Sequence, residues 1–240
     1  EIPKRDWSSD VCSSDLVGQT ADGVRVTDVR HVLEHASVPD GVRAPDGRVL
    51  IYYVDGDNGG VWVAAYASGV ATPISPISVN GVTRPAGIVD PDAVTVDGRI
   101  RLAYLSASPA AGSTRAICLA DSTDGVNFTV AATALTTIES WTDPSMARLR
   151  SGGWLMAISF GTNTVLARSS DGLAFVAGER VTFGGVPEIT ALVDGRIRLY
   201  VCARGIESYV SADDGRTWSR EAVVIEPAGL TCDPSRVSGT

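Results

Sequence analysis

Carboxylates stand beside prolines at matched places along this chain: Pro39-Asp40, Asp90-Pro91-Asp92, Asp143-Pro144, Pro187-Glu188 and Asp233-Pro234. Aligned on the prolines, Asp90, Asp143 and Asp233 share one register. Asp40, Asp92 and Glu188 share another, two residues on. A separation of two keeps both registers on one face of an extended strand. Acids gathered this way raise one another's pKa, and burial adds to the rise. One carboxyl can then hold its proton while another stays ionised. Cleavage of a glycosidic bond needs such a pair. The competing reading is local: Asp-Pro also forms turns, its side chain bonding nearby amides. Glu is a poor turn residue, so Glu188 in a matching place favours the chemical reading.

Gathering these acids requires a fold that returns the same register to one axis. The heptapeptide Val96–Leu102 recurs unchanged as Val193–Leu199, and looser copies surround Gly47 and Gly152. The turn glycines Gly47, Gly98, Gly152 and Gly195 mark a period of about 48 residues, the length of a β-propeller blade. Each period runs in the same order. A Pro-acid opening leads into a strand, an Asp-Gly hairpin and an apolar strand such as Arg48–Tyr53 or Trp154–Ile158. A third strand follows (Val61–Tyr66, Ala116–Asp121, Val165–Ser169 or Ser208–Ser211), then a Ser/Asp/Gly turn and a fourth strand. The expected fold is all-β, a propeller with blades at 28–80, 81–133, 134–178 and 179–226 and a fifth begun at Asp233-Pro234. The ring is expected to have five blades and to be incomplete here.

The head of the chain breaks the pattern. Asp6-Trp7-Ser8-Ser9-Asp10-Val11-Cys12-Ser13-Ser14-Asp15-Leu16 resembles the translation of a sequencing-library adapter. Residues 1–16 are therefore read as a non-native leader and 17–240 as a single propeller domain, truncated. With the native start hidden, the lack of a signal peptide carries no weight; secretion or export to the periplasm is the expectation. Setting Cys12 aside leaves Cys118, Cys202 and Cys232, without metal-site spacing. Cys118 and Cys202 lie in apolar strands and are expected as buried free thiols.

Composition narrows the partners. Hydrophobic residues make up 44% and charged residues 20%, as in a globular chain. The net charge of −8 opposes a phosphate backbone, so no nucleic acid is expected. No apolar run approaches a membrane span. His31 and His35 have helical ligand spacing in a stretch that reads as strand, with no third ligand, so neither metal nor cofactor is expected. Trp141 is placed to stack on a sugar, or else to pack between blades. Arg84, before Pro85, is a candidate for a hydroxyl or carboxylate, or else a surface ion pair. Trp62, Trp154 and Trp218 read as core, and Asp46, Asp97 and Asp194 as turn formers.

Ser211-Ala212-Asp213-Asp214-Gly215-Arg216-Thr217-Trp218 resembles the Asp-box of sialidases at every position. Ser122–Phe128 and Ser169–Phe175 are shorter versions, closer to those of five-bladed glycoside hydrolases. The Pro-acid openings resemble those of the five-bladed arabinanase, xylosidase and invertase group. That resemblance implies a glycosidase with two Asp and one Glu in its central funnel. It implies Asp90 as nucleophile or base, Asp143 as the tuning carboxylate and Glu188 as acid, with Asp40 the strongest rival to Asp90. Asp40, Asp92, Arg84 and Trp141 are the expected carbohydrate-binding residues. The Phe-Arg-Ile-Pro element of sialidases, the Asn-Asp-Pro-Asn element of invertases and the Glu-Gly-Pro of arabinanases are missing. A non-catalytic propeller binding carbohydrate or protein is thus the alternative, and a sialidase the third.

Overall fold

The computed structural model describes residues 14–106, 114–203 and 205–225, and these contain strands and turns but no helix. A hairpin of β1 (Ser14–Gln19) and β2 (Thr27–Glu34) comes first. Blade 1 is β3 (Ala36–Arg43), β4 (Val49–Asp55), β5 (Val61–Ala67) and β6 (Val70–Pro76). A short hairpin, β7 (Ser78–Val79) and β8 (Val82–Thr83), leads to blade 2: β9 (Ile88–Val96), β10 (Arg99–Ser106), β11 (Arg115–Ser122) and β12 (Asn127–Thr137). Blade 3 is β13 (Thr142–Arg148), β14 (Trp154–Phe160), β15 (Asn163–Ser169) and β16 (Val176–Val181). Blade 4 is β17 (Gly185–Ala191), β18 (Ile197–Cys202), β19 (Ile206–Ser211) and β20 (Ser219–Ile225).

Every blade is an antiparallel meander in chain order, and β7 adds in parallel to the outer strand of blade 2. The first strands of successive blades lie side by side, β3 by β9, β9 by β13 and β13 by β17. The described residues therefore form an incomplete propeller of four blades. The Asp233-Pro234 opening and Cys232 lie outside the described residues.

The core sits between blades. Tyr52, Val63 and Leu50 of blade 1 meet Ile100, Leu102 and Phe128 of blade 2. Leu105 and Leu119 meet Met146, Met156 and Ile158 of blade 3, and Leu155 and Leu166 meet Ile189 and Leu199 of blade 4. The second strands, covered on both faces, explain the apolar runs: all of Trp154–Ser159 is buried. Cys118 and Cys202 are free thiols, half-buried rather than buried.

The two identical heptapeptides fold differently. In blade 2, Asp97 and Gly98 both take positive φ and form a two-residue hairpin between Val96 and Arg99. In blade 4 the strand ends at Ala191, the turn closes from Leu192 to Arg196, and Val193 is fully exposed. Blade 2 has one residue fewer between Asp92 and Asp97 than blade 4 has between Glu188 and Asp194. That residue pushes Val193 off the ladder.

The Ser-x-Asp turns fasten each blade to the one before. In blade 2 the Asp124 carboxylate accepts from Val126 N and Asn127 N, both at 2.8 Å, and Ser122 Oγ accepts from Gly125 N at 2.9 Å. Arg48 and Tyr52 of blade 1 then donate to the Asp124 and Gly125 carbonyls at 3.0 and 2.8 Å. Arg101 reaches the Gly172 carbonyl of blade 3, and Arg168 reaches Asp214 and Gly215 of blade 4. Removing the acceptor in Asp124→Ala should cost about 1 kcal/mol, as for a lost cap. Urea unfolding of the variant against the parent chain measures it.

Candidate active site

One register of the innermost strands supplies the site. Asp40 on β3, Asp92 on β9, Ser145 on β13 and Glu188 on β17 each follow the proline of their opening. The residue before that proline has left-handed φ in all four blades: Val38 at 50°, Asp90 at 53°, Asp143 at 48° and Val186 at 45°. The ladder slips at the same place in every blade. Proline has no N–H to give the ladder, so the strand bulges there. Positive φ at a β-branched valine is strained, a cost of roughly 1–3 kcal/mol per residue, and such strain gathers at functional sites.

The bulge re-aims the side chains, so simple alternation does not hold and the two registers do not merge. Asp40, Asp92 and Glu188 are buried, and one oxygen from each lies within 4.8 Å of the others. Among the described residues they are the one such group of acids, and the set that could share a cation. Asp90 and Asp143 are half-buried and outside it; there Asp143 N donates to the Asp90 carboxylate at 3.3 Å.

Three of the four side chains at the inner register clasp the next blade. Asp40 accepts from Ala93 N at 2.6 Å, Asp92 from Met146 N at 3.0 Å, and Ser145 Oγ from Ile189 N at 3.0 Å. Ser145 Oγ also donates to Glu188 at 3.1 Å and lies beside Asp92, so it stands between two of the acids. Burial pushes the Asp40 carboxyl up to about 7. Burial, and then the neighbouring Asp40 charge, hold Asp92 well above the usual carboxylate range.

The remaining expected residues lie elsewhere. Trp141 is buried in the core between blades 2 and 3, its Nε1 donating to Glu139 at 2.7 Å. Packing is its observed role. Arg84 is exposed and donates to the Asn58 carbonyl at 2.9 Å, on the β4–β5 turn. A groove of about 610 Å³ between Arg148–Arg150 and Ala191–Gly195 lies at the far ends of β13 and β17 from the acids. Ser145 is the site residue that sequence reasoning missed. Its signal was present, since Asp143-Pro144-Ser145 aligns with Asp90-Pro91-Asp92.

No family model matches this chain, and no curated protein matches it. Solved structures do. A thermostable family-43 glycoside hydrolase superposes with a TM-score of 0.62 at 12% identity, over 89% of this chain and 94% of that one. An α-L-arabinanase of Penicillium chrysogenum, complexed with arabinobiose, gives 0.57 at 13% identity, over 81% of this chain and 69% of that one. A Hadza microbial sialidase gives 0.55 at 14% identity over 86% of this chain, which spans only 51% of the sialidase. At such identities the likeness concerns architecture: the chain has the propeller fold found in family-43 glycoside hydrolases and sialidases.

Proposed function

We propose that this propeller is a glycoside hydrolase whose working carboxylates are Asp40, Asp92 and Glu188. The observation that carries the reading is Ser145. A hydroxyl suffices there to clasp the next blade, yet the equivalent places hold buried acids. Burying a carboxylate is costly, so structure alone gives no reason for three of them. Crowded acids share protons, which leaves one carboxyl protonated and another ionised near neutral pH. Glu188 is the acid that protonates the leaving oxygen. Asp40, with its carboxyl near 7, is the base or nucleophile, in the place first given to Asp90. Asp92, lying by both, sets their proton affinities. Two structural neighbours, an α-L-arabinanase complexed with arabinobiose and a β-xylosidase/α-arabinofuranosidase complexed with xylotriose, support a carbohydrate substrate.

Incubation with aryl glycosides of arabinose, xylose, galactose and sialic acid, together with arabino- and xylo-oligosaccharides, tests the reading. Release of sugar from at least one is expected. Binding of a glycan without any product would instead favour the carbohydrate-binding propeller. Hydrolysis of the sialoside alone would favour the sialidase.

A further inference from the structure

The three side chains that clasp neighbouring innermost strands differ in chemistry. Asp40 and Asp92 accept from Ala93 N and Met146 N, each through Oδ2. Ser145 Oγ accepts from Ile189 N in the same way, but it also carries a hydrogen whatever the pH. That hydrogen goes to Glu188 Oε2 at 3.1 Å. Ile189 follows Glu188 on β17, so the hydroxyl is anchored on the backbone next to the acid it bonds. Ser145 is 2% exposed and Glu188 6%, so solvent hardly competes for the contact. The clasp itself does not require a hydroxyl, since carboxylates make it in blades 1 and 2.

We propose that Ser145 is a positioning residue for acid catalysis: its hydroxyl holds Glu188 by Oε2 and leaves Oε1 to carry the proton for the leaving oxygen. This role rests on the glycosidase reading. As the glycosidic C–O bond breaks, its electron pair goes to the leaving oxygen, which takes the Oε1 proton. The new bond to the sugar carbon comes from Asp40 or from a water that Asp40 deprotonates. Glu188 is then a carboxylate. The bond from Ser145, made at first to a neutral acid, becomes charge-assisted as that charge grows. It is therefore stronger in the transition state than in the ground state, the condition for an interaction to raise the rate. An ionised aspartate at 145 would clasp Ile189 N equally well, but it would oppose the charge that Glu188 acquires.

A misplaced acid matters only to a leaving group that needs a proton. The test compares kcat/KM on methyl and dinitrophenyl glycosides of the sugar that the parent chain releases fastest. Ser145→Ala should lose about a hundredfold on the methyl glycoside, the scale of a misplaced catalytic group, and under about threefold on the dinitrophenyl glycoside, whose phenolate leaves without a proton. A clasp that served the fold alone would lower both by the same factor. Ala also strips Ile189 N of its acceptor. Should that variant not fold, Ser145→Cys keeps the size with a weaker donor, and it should lose about tenfold on the methyl glycoside alone. Equal losses on the two glycosides, or none, in a chain whose parent is active would overturn the role of Ser145 and leave the glycosidase reading standing. A parent chain inert on every glycoside would overturn that reading, and this role with it.

Discussion

Glu188→Gln should lower kcat on the best glycoside by about a thousandfold, and Asp40→Asn by a similar factor, within the range of lost general acid or base catalysis. Both amides keep an acceptor oxygen where the carboxylate had one, so Ser145 Oγ and Ala93 N retain their partner and the fold should survive. The pH profile separates the two roles. A base must be ionised, so activity should rise as pH passes through about 7, where burial places the Asp40 carboxyl. In Asp40→Asn that limb should vanish from what activity remains. Asp90→Asn and Asp143→Asn should cost under tenfold, because those residues lie outside the acid group. A thousandfold loss in that pair, with Asp40→Asn near normal, would return the base to Asp90. Steady-state kinetics on the four variants, with circular dichroism to verify folding, decides between them.

The propeller was legible because its determinants are short-range and repeated. Asp97-Gly98 dictates a hairpin, and an apolar strand after it, as at Trp154–Ser159, calls for cover on both faces. The register of Asp40, Asp92 and Glu188 could be counted from the prolines. Which of two registers faces the axis could not, because that depends on the bulge. Positive φ at Val38 and Val186 contradicts the preference of valine and of any residue before proline, so local propensity argues against what forms. The strain is held by packing and inter-blade bonds between residues far apart in sequence, such as Asp92 to Met146 N. The hairpin of β1 and β2 escaped for a different reason: its first strand begins inside a stretch that reads as foreign.

The same burial that prepares the acids should make them a liability to stability, and Asp40→Asn should expose it. A buried aspartate whose carboxyl is raised to about 7 binds its proton more readily folded than unfolded. Its favourable contribution is full below about pH 4, shrinks as pH rises, and is gone once pH exceeds about 7. A rise of this size is worth about 4 kcal/mol at alkaline pH. Asn carries no charge, and it keeps an acceptor for Ala93 N but leaves its amide N–H groups to find partners. About half the penalty should therefore be recovered, some 2 kcal/mol, or a Tm increase of about 4–8 °C at pH 8. Near pH 4 the two proteins should melt together. The Ser-x-Asp turns act in the opposite sense. Desolvation opposes the shift, but backbone and side-chain donors outweigh it and hold Asp124 near 2, so its support is full above about pH 4, shrinks as pH falls, and is gone below about 2. Scanning calorimetry of parent and Asp40→Asn chains from pH 4 to pH 8 should show a gap that opens toward alkali. A variant that melts lower than its parent at pH 8 would mean that the Asp40 charge is satisfied where it lies. The reason for reading that carboxylate as catalytic rather than structural would then be lost.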